Sequence, residues 1–369
     1  MRHRQTENRC QNLVRRIATV RTTPRIRAAF YGCGTFANRT RMPNLLQLGS
    51  VDIIAACDSN PQTAQETASR FGIPRVYHSE NGGAYEMLDT ESIDVLYSIV
   101  PAYVRNDVEL IAVEKGIHLF SEKPQALTME VARRIDNAVQ EAGVISTVGF
   151  RERYRPLFQE ARKLLEDKRI VHIRFQSFGG LPPKKSSEPE TWWAEMDKSG
   201  GRALDWGVHA TDYSRFMTGL NIAQAQAFYC EREAYATALS SSFNYRFDDG
   251  ATMTLSFVSA GPNPNRNPWF TLFYEGGYLA IFGYERIEVN GEVVYQADEF
   301  DPWLEQDSVF IRAVQTGNAS LLRNDYHDGL FSLAPVLAGW HSARRDGKCV
   351  DVATFMAADR RRTNPGGTV

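Results

Sequence analysis

Between residues 26 and 148, short apolar runs alternate with segments of helical spacing. The runs at 26–31, 51–57, 93–100, 117–120 and 144–148 have the continuity of parallel strands buried on both faces. A shorter run at 76–77 belongs with them. Between the runs lie helix-period segments. At 61–71, Ala64, Ala68 and Phe71 share a face, and Pro61 stands where a first-turn proline is tolerated. The segment 106–115 ends at Gly116, and 128–142 ends at Gly143, both helix-stop positions. A single turn of helix is expected over 85–88. The pattern predicts a doubly wound α/β unit with a parallel sheet.

Beyond residue 150 the pattern changes. A helix is expected over 156–166, and 171–178 alternates like a strand with one buried face. The spacing predicts a helix over 205–218, with Asp205 as N-cap and Gly219 as stop. From 223 to 294 the chain alternates apolar and polar, broken by Asp248-Asp249-Gly250, Gly261-Pro262, Gly276-Gly277 and Asn290-Gly291. That predicts a mainly antiparallel, hairpin-rich sheet. Closing helices over 303–316 and 328–345 and a last strand at 349–352 complete it. The expected division is a basic extension (1–25), a dinucleotide-binding domain (26–148), an α/β substrate and oligomerisation domain (149–352) and a loose tail (353–369).

Composition adds limits. A chain of 369 residues is long for one core and suits two domains. Its net charge of −2 exerts no global pull on nucleic acid or anionic lipid. No apolar run reaches the ~18–20 residues that span a bilayer. Cys10, Cys33, Cys57, Cys230 and Cys349 show no pairing or metal-ligand spacing. This points to a reducing, cytoplasmic setting and no metal site. Residues 1–25 hold Arg2, Arg4, Arg9, Arg15, Arg16, Arg21 and Arg25 against Glu7, without the apolar stretch of a secretory signal.

The first turn carries the first candidate chemistry. Gly32-Cys33-Gly34-Thr35-Phe36-Ala37 follows the first strand and opens a helix, fitting G-x-G-x-x-G/A. Gly32 would allow the turn, Gly34 would admit a pyrophosphate, and Ala37 would permit close packing. Asp58 ends the second strand, where an acid can bond a ribose diol. No arginine closely follows it, so NAD is expected over NADP. Ligands of such sheets sit beyond the carboxyl ends of strands. Asp58, Pro101 and Glu122-Lys123-Pro124 are all at such ends.

Oxidising an alcohol carbon needs a base for the hydroxyl proton and a donor for the developing alkoxide. Lys123, at a core strand's end, suits the donor. His209 suits the base. Asp205, four residues earlier, shares a helix face with it and could orient it or bind a second hydroxyl. Arg151, Tyr154, Trp192 and Trp193 border the expected cleft. Asn265, Arg266, Asn267 and Trp269 stand on a Gly/Pro-rich loop that could reach a substrate. His327 and Asp325 read as surface or helix-start residues.

Together these motifs resemble the glucose–fructose oxidoreductase/inositol dehydrogenase (Gfo/Idh/MocA) family over about 26–352. The motifs are Gly32–Ala37, Cys57-Asp58, Glu122-Lys123-Pro124, Val148-Gly149-Phe150-Arg151, and Gly200-Gly201 through Leu204-Asp205-x-Gly207-x-His209. The resemblance implies a Rossmann domain followed by an open antiparallel-sheet domain. It also implies NAD(P)-dependent hydride transfer with a sugar, cyclitol or related polyol, catalysis by Lys123, Asp205 and His209, and homodimers or homotetramers. Two positions depart from the family. Arg105 replaces a histidine near the nicotinamide, which implies either a changed cofactor position or an acidic substrate group, and Arg202 replaces a third glycine. A lyase or glycosidase that returns its hydride, or a ligand sensor on the same fold, would be built from the same residues.

Overall fold

The computed structural model describes residues 25–186, 191–262 and 267–358. Residues 1–24 and 359–369, with Asn265 and Arg266, lie outside them.

The first sheet has β1 (Ile26–Tyr31), β2 (Val51–Asp58), β3 (Arg75–His78), β4 (Val95–Ser98), β5 (His118–Ser121) and β6 (Ser146–Val148). Its order is β3-β2-β1-β4-β5-β6, with every pairing parallel. The chain reverses direction across the sheet beside β1, which opens the crevice where such folds hold ligands. The connecting helices are α1 (Met42–Leu48), α2 (Pro61–Phe71), α3 (Gly83–Thr90), α4 (Asp107–Glu114) and α5 (Met129–Ala142). Ahead of α1 the chain is a wider π-helical turn over Ala37–Arg41. Asn60 caps α2 and Thr128 caps α5 through their side chains. These caps satisfy first-turn N–H groups that the helix cannot.

The second unit starts with α6 (Pro156–Leu165) and β7 (Ile170–Gly179), then α7 (Met196–Ser199) and α8 (Gly201–Thr218). β8 (Ile222–Cys230), β9 (Ser240–Phe247), β10 (Thr252–Ser259), β11 (Phe270–Tyr274), β12 (Gly277–Phe282), β13 (Arg286–Val289) and β14 (Glu292–Gln296) follow. With β15 (Val350–Asp351) they make a nine-stranded sheet ordered β14-β13-β12-β11-β7-β10-β9-β8-β15. It is antiparallel except at β7 and β10, which pair in parallel at its centre.

Two expectations change. Asp205 does not cap a helix: α8 begins at Gly201 with Gly200 as its N-cap, so Asp205 lies one turn inside. The tail expected from 353 begins as α11 (Val352–Ala357), capped by the Asp351 side chain. Before it come α9 (Pro302–Thr316) and α10 (Tyr326–Ala343). α8 and α10 pack on one face of the large sheet. α9 instead returns to the first sheet, where Phe310 meets the Tyr97 and Phe120 rings at 5.9 and 5.4 Å. Among the described residues, no helix is long and apolar enough to cross a membrane.

Candidate functional site

The glycine turn is sterically compelled. Gly32 has φ +99°, and a Cβ there would lie 2.4 Å from the Ile99 carbonyl oxygen. Only glycine fits where β1 ends beside the exit of β4. A Cβ on Gly34 would meet nothing within 4 Å, so the turn is open on that side. Asp58 accepts the Cys33 N–H at 2.8 Å and the Asn60 N–H at 2.9 Å, which fixes its carboxylate beside the turn. An open glycine turn, a helix start and an anchored acid fit a dinucleotide.

Gly34, Thr35, Phe36 and Ala37 line one side of a cleft of about 520 Å³. Pro101, Glu122 and Lys123 line it from the first sheet, and Arg151, Trp192, Trp193, Asp205, Trp206, His209 and Trp303 from the second unit. The sequence could not show whether Lys123, Asp205 and His209 converge, and they do. The Lys123 ammonium donates to Asp205 Oδ1 at 2.6 Å and to the Asp205 carbonyl at 3.3 Å. Asp205 therefore orients Lys123 rather than His209. The His209 ring stacks on Tyr213 at 5.5 Å and has edge contacts with Trp206 and Phe150. It is 3% exposed, and its Nδ1 has no hydrogen-bond partner. Burial, reinforced by the positive charges of Lys123 and Arg151, pushes the imidazole pKa well below 6.5. His209 is neutral at pH 7, the form that accepts a proton.

Glu122 is held from behind. Its Oε1 accepts Arg41 Nη2 at 2.5 Å and Nε at 3.0 Å, and its Oε2 accepts the Lys123 N–H at 3.1 Å. A Cβ on Gly149 would lie 2.4 Å from Oε2, so the glycine of Val148-Gly149-Phe150 makes room for this carboxylate. Arg41 is wholly buried and also donates to Asp307 at 2.9 Å and Gln306 at 3.1 Å on α9. No local signal marked Arg41, because its partners are 81 and 266 positions away.

Two expected cleft residues lie elsewhere. Arg105 is buried under the strand ends, donating to Ser121 Oγ at 2.7 Å and to the Val100 carbonyl at 3.1 Å. It also pairs with Glu109, one helical turn on, at 3.3 Å. Its guanidinium is bonded into the scaffold and does not line the cleft. Tyr154 is also buried, and its hydroxyl accepts the Arg323 N–H. Trp192 and Trp193 do line the cleft, stacked on each other at 3.9 Å. Trp206 and Trp303 were missed; no motif marks them beyond the position of Trp206 inside Asp205-x-x-x-His209. Trp269 packs behind Trp206 at 6.4 Å. Arg202 binds Ser177 and the Phe178 carbonyl, tying the start of α8 to β7. Asp325 caps α10, and His327 pairs with Asp136 at 2.7 Å. Among the described residues, no three His, Cys, Asp or Glu side chains group as metal ligands.

Residues 26–150 match the Gfo/Idh/MocA oxidoreductase family's NAD-binding Rossmann fold, and residues 158–280 match its C-terminal domain. The chain belongs to the Gfo/Idh/MocA family. Among its relatives, a scyllo-inositol 2-dehydrogenase (NAD(+)) of Bacillus subtilis is 28% identical over 202 residues, 53% of this chain and 55% of that one. A D-apiose dehydrogenase of Paraburkholderia graminis is 28% identical over 211 residues, 55% of this chain and 52% of that one. The chain thus spans about half the length of the curated relatives it matches. A levoglucosan dehydrogenase solved with NADH shares the fold, with TM-score 0.75 and 18% identity over 89% of this chain and 99% of that one.

Proposed function

We propose that this family member is an NAD-dependent dehydrogenase of a sugar, cyclitol or related polyol. The observation that carries the proposal is the convergence of Lys123, Asp205 and neutral His209, from two units, in the cleft onto which the glycine turn opens. NAD, when bound, supplies the hydride acceptor. The chain supplies the rest. The Gly32–Ala37 turn and Asp58 hold the pyrophosphate and ribose. His209 takes the substrate hydroxyl proton. Lys123, positioned by Asp205, donates to the same oxygen as negative charge grows on it. Tryptophan faces cover the apolar side of the ring. The dehydrogenase names of the relatives support this substrate class.

The test is NADH absorbance with purified protein, NAD and a panel of sugars and cyclitols. His209→Ala should lose ~10²–10⁴ in turnover, the usual cost of removing a positioned base, while keeping NAD affinity. Near-normal turnover would refute the assignment. Tight NAD binding with no net NADH would favour hydride-returning chemistry.

The proposal extends to assembly and setting. Val171, Phe228, Phe273, Val293 and Val294 are exposed on the large sheet and would be covered in a homodimer or homotetramer. Light scattering at micromolar concentration tests this. Cys33, Cys57, Cys230 and Cys349 are all free, which suits a reducing cytoplasm.

A further inference from the structure

Most charged groups lining the cleft have an opposite charge of their own. Lys123 has Asp205 at 2.6 Å and Lys198 has Glu195 at 2.7 Å, while Glu122 shares Arg41 with Asp307. Arg151 has none to itself. Its acid is Glu152, with Nε 2.9 Å from Oε1, and the same carboxylate also holds Arg155. Two guanidiniums thus share one fully buried carboxylate. The opposite imbalance, two acids on Arg41, sits where Arg41 and Asp307 are wholly buried, and neither lines the cleft.

Arg151 shares its carboxylate and its Nε makes no aligned hydrogen bond, so an anion bound in the cleft would give this guanidinium acceptors it lacks. The surroundings of Arg151 favour a flat anion. Its guanidinium lies 4.5 Å over the Trp303 ring, which restricts where the side chain can go. A guanidinium so held can present a forked edge that matches a carboxylate bidentately. Trp192, Trp193, Trp206 and Trp303 line the same cleft and suit a sugar ring. Arg105, the other arginine that suggested an acidic substrate, is occupied within the scaffold.

We infer that the substrate is an acidic sugar, a uronate or aldonate, whose carboxylate is held by Arg151 within the cleft. This rests on the dehydrogenase reading and names its substrate class. One guanidinium fork matches one carboxylate, whereas a phosphate dianion would add a second negative charge to a cleft that already holds Glu122 and Asp205.

The test compares initial NADH rates for D-glucuronate, D-galacturonate and D-gluconate with those for D-glucose, D-galactose and D-glucose 6-phosphate, using the full chain. At least one acid should exceed its neutral counterpart by about 10-fold or more in kcat/KM. Arg151→Met should cut that acid-to-neutral ratio by on the order of 10²-fold, and Arg151→Lys should restore part of it. Quenching of tryptophan fluorescence by NAD confirms that each variant is folded. A wild-type preference for neutral sugars or the phosphate ester would overturn the inference whether or not the variants fold. An unchanged ratio in folded Arg151→Met would do the same. NADH from the neutral sugars alone leaves the dehydrogenase reading standing and removes this one. NADH from none of the six, with NAD bound, removes this inference, and the dehydrogenase reading is then decided by the wider panel of sugars and cyclitols.

Discussion

Arg41 gives the sharpest test of how the two units are joined. Its guanidinium is fully buried between Glu122 and Asp307, and it lies 4.4 Å over the Phe120 ring. Arg41→Met keeps much of the volume but leaves two buried carboxylates without their cation. Breaking a buried pair in this way costs about 3–5 kcal/mol. The Asp307 part of that cost depends on pH. Burial already raises the Asp307 pKa from 3.8 to about 6, against the pull of Arg41. A raised acid favours the fold below its unfolded value, and that contribution is lost as pH rises through the folded value. Without Arg41 the folded pKa climbs further, so the added penalty appears only above about pH 6. Near pH 5 Asp307 is largely protonated in both proteins, and only the Glu122 part remains. Urea unfolding followed by tryptophan fluorescence at pH 5 and pH 8 measures both. Asp307→Asn in the Arg41→Met background should recover the pH-dependent share at pH 8. A deficit below about 1 kcal/mol, or one that neither shrinks at pH 5 nor recovers in the double variant, would show that charge pairing is not what holds this interface.

Three other outcomes follow from the site. Because burial and two cations depress His209, the acid limb of kcat/KM should fall below pH 6.5, with the neutral base lost only as pH drops further; a limb at or above 6.5 would contradict a buried neutral base. Gly32→Ala places a methyl group 2.4 Å from the Ile99 carbonyl at φ +99°, so thermal stability should drop and NAD affinity fall by on the order of 10²-fold by calorimetric titration. Asp58→Ser removes the charge that repels a 2′-phosphate, and the NADP-to-NAD ratio of kcat/KM should rise by about 10-fold, the scale of one part-exposed charge interaction.

Much of the fold was legible because its signals are local. Strand β1, helix α2 and the glycine turn were readable from apolar runs, helical spacing and stop residues, which depend on neighbours a few positions away. The start of α8 was misplaced for the same reason. Asp205 is a good capping residue by type, but the chain enters the helix at Gly200, one turn earlier.

The sequence by itself determined two α/β units, a dinucleotide turn with its acid, and the residue types able to take a proton and to donate to an oxygen. Tertiary structure alone decided that Lys123 and His209 share a cleft, that Asp205 serves the lysine, and that Arg105 is spent inside the scaffold while Arg151 faces the cleft. It also brought α9 back to the first sheet, setting Asp307 on Arg41 across 266 positions. The division has a physical cause. Backbone periodicity and capping are satisfied within a turn or a strand, whereas a buried charge must find its counter-charge wherever the packed chain brings one.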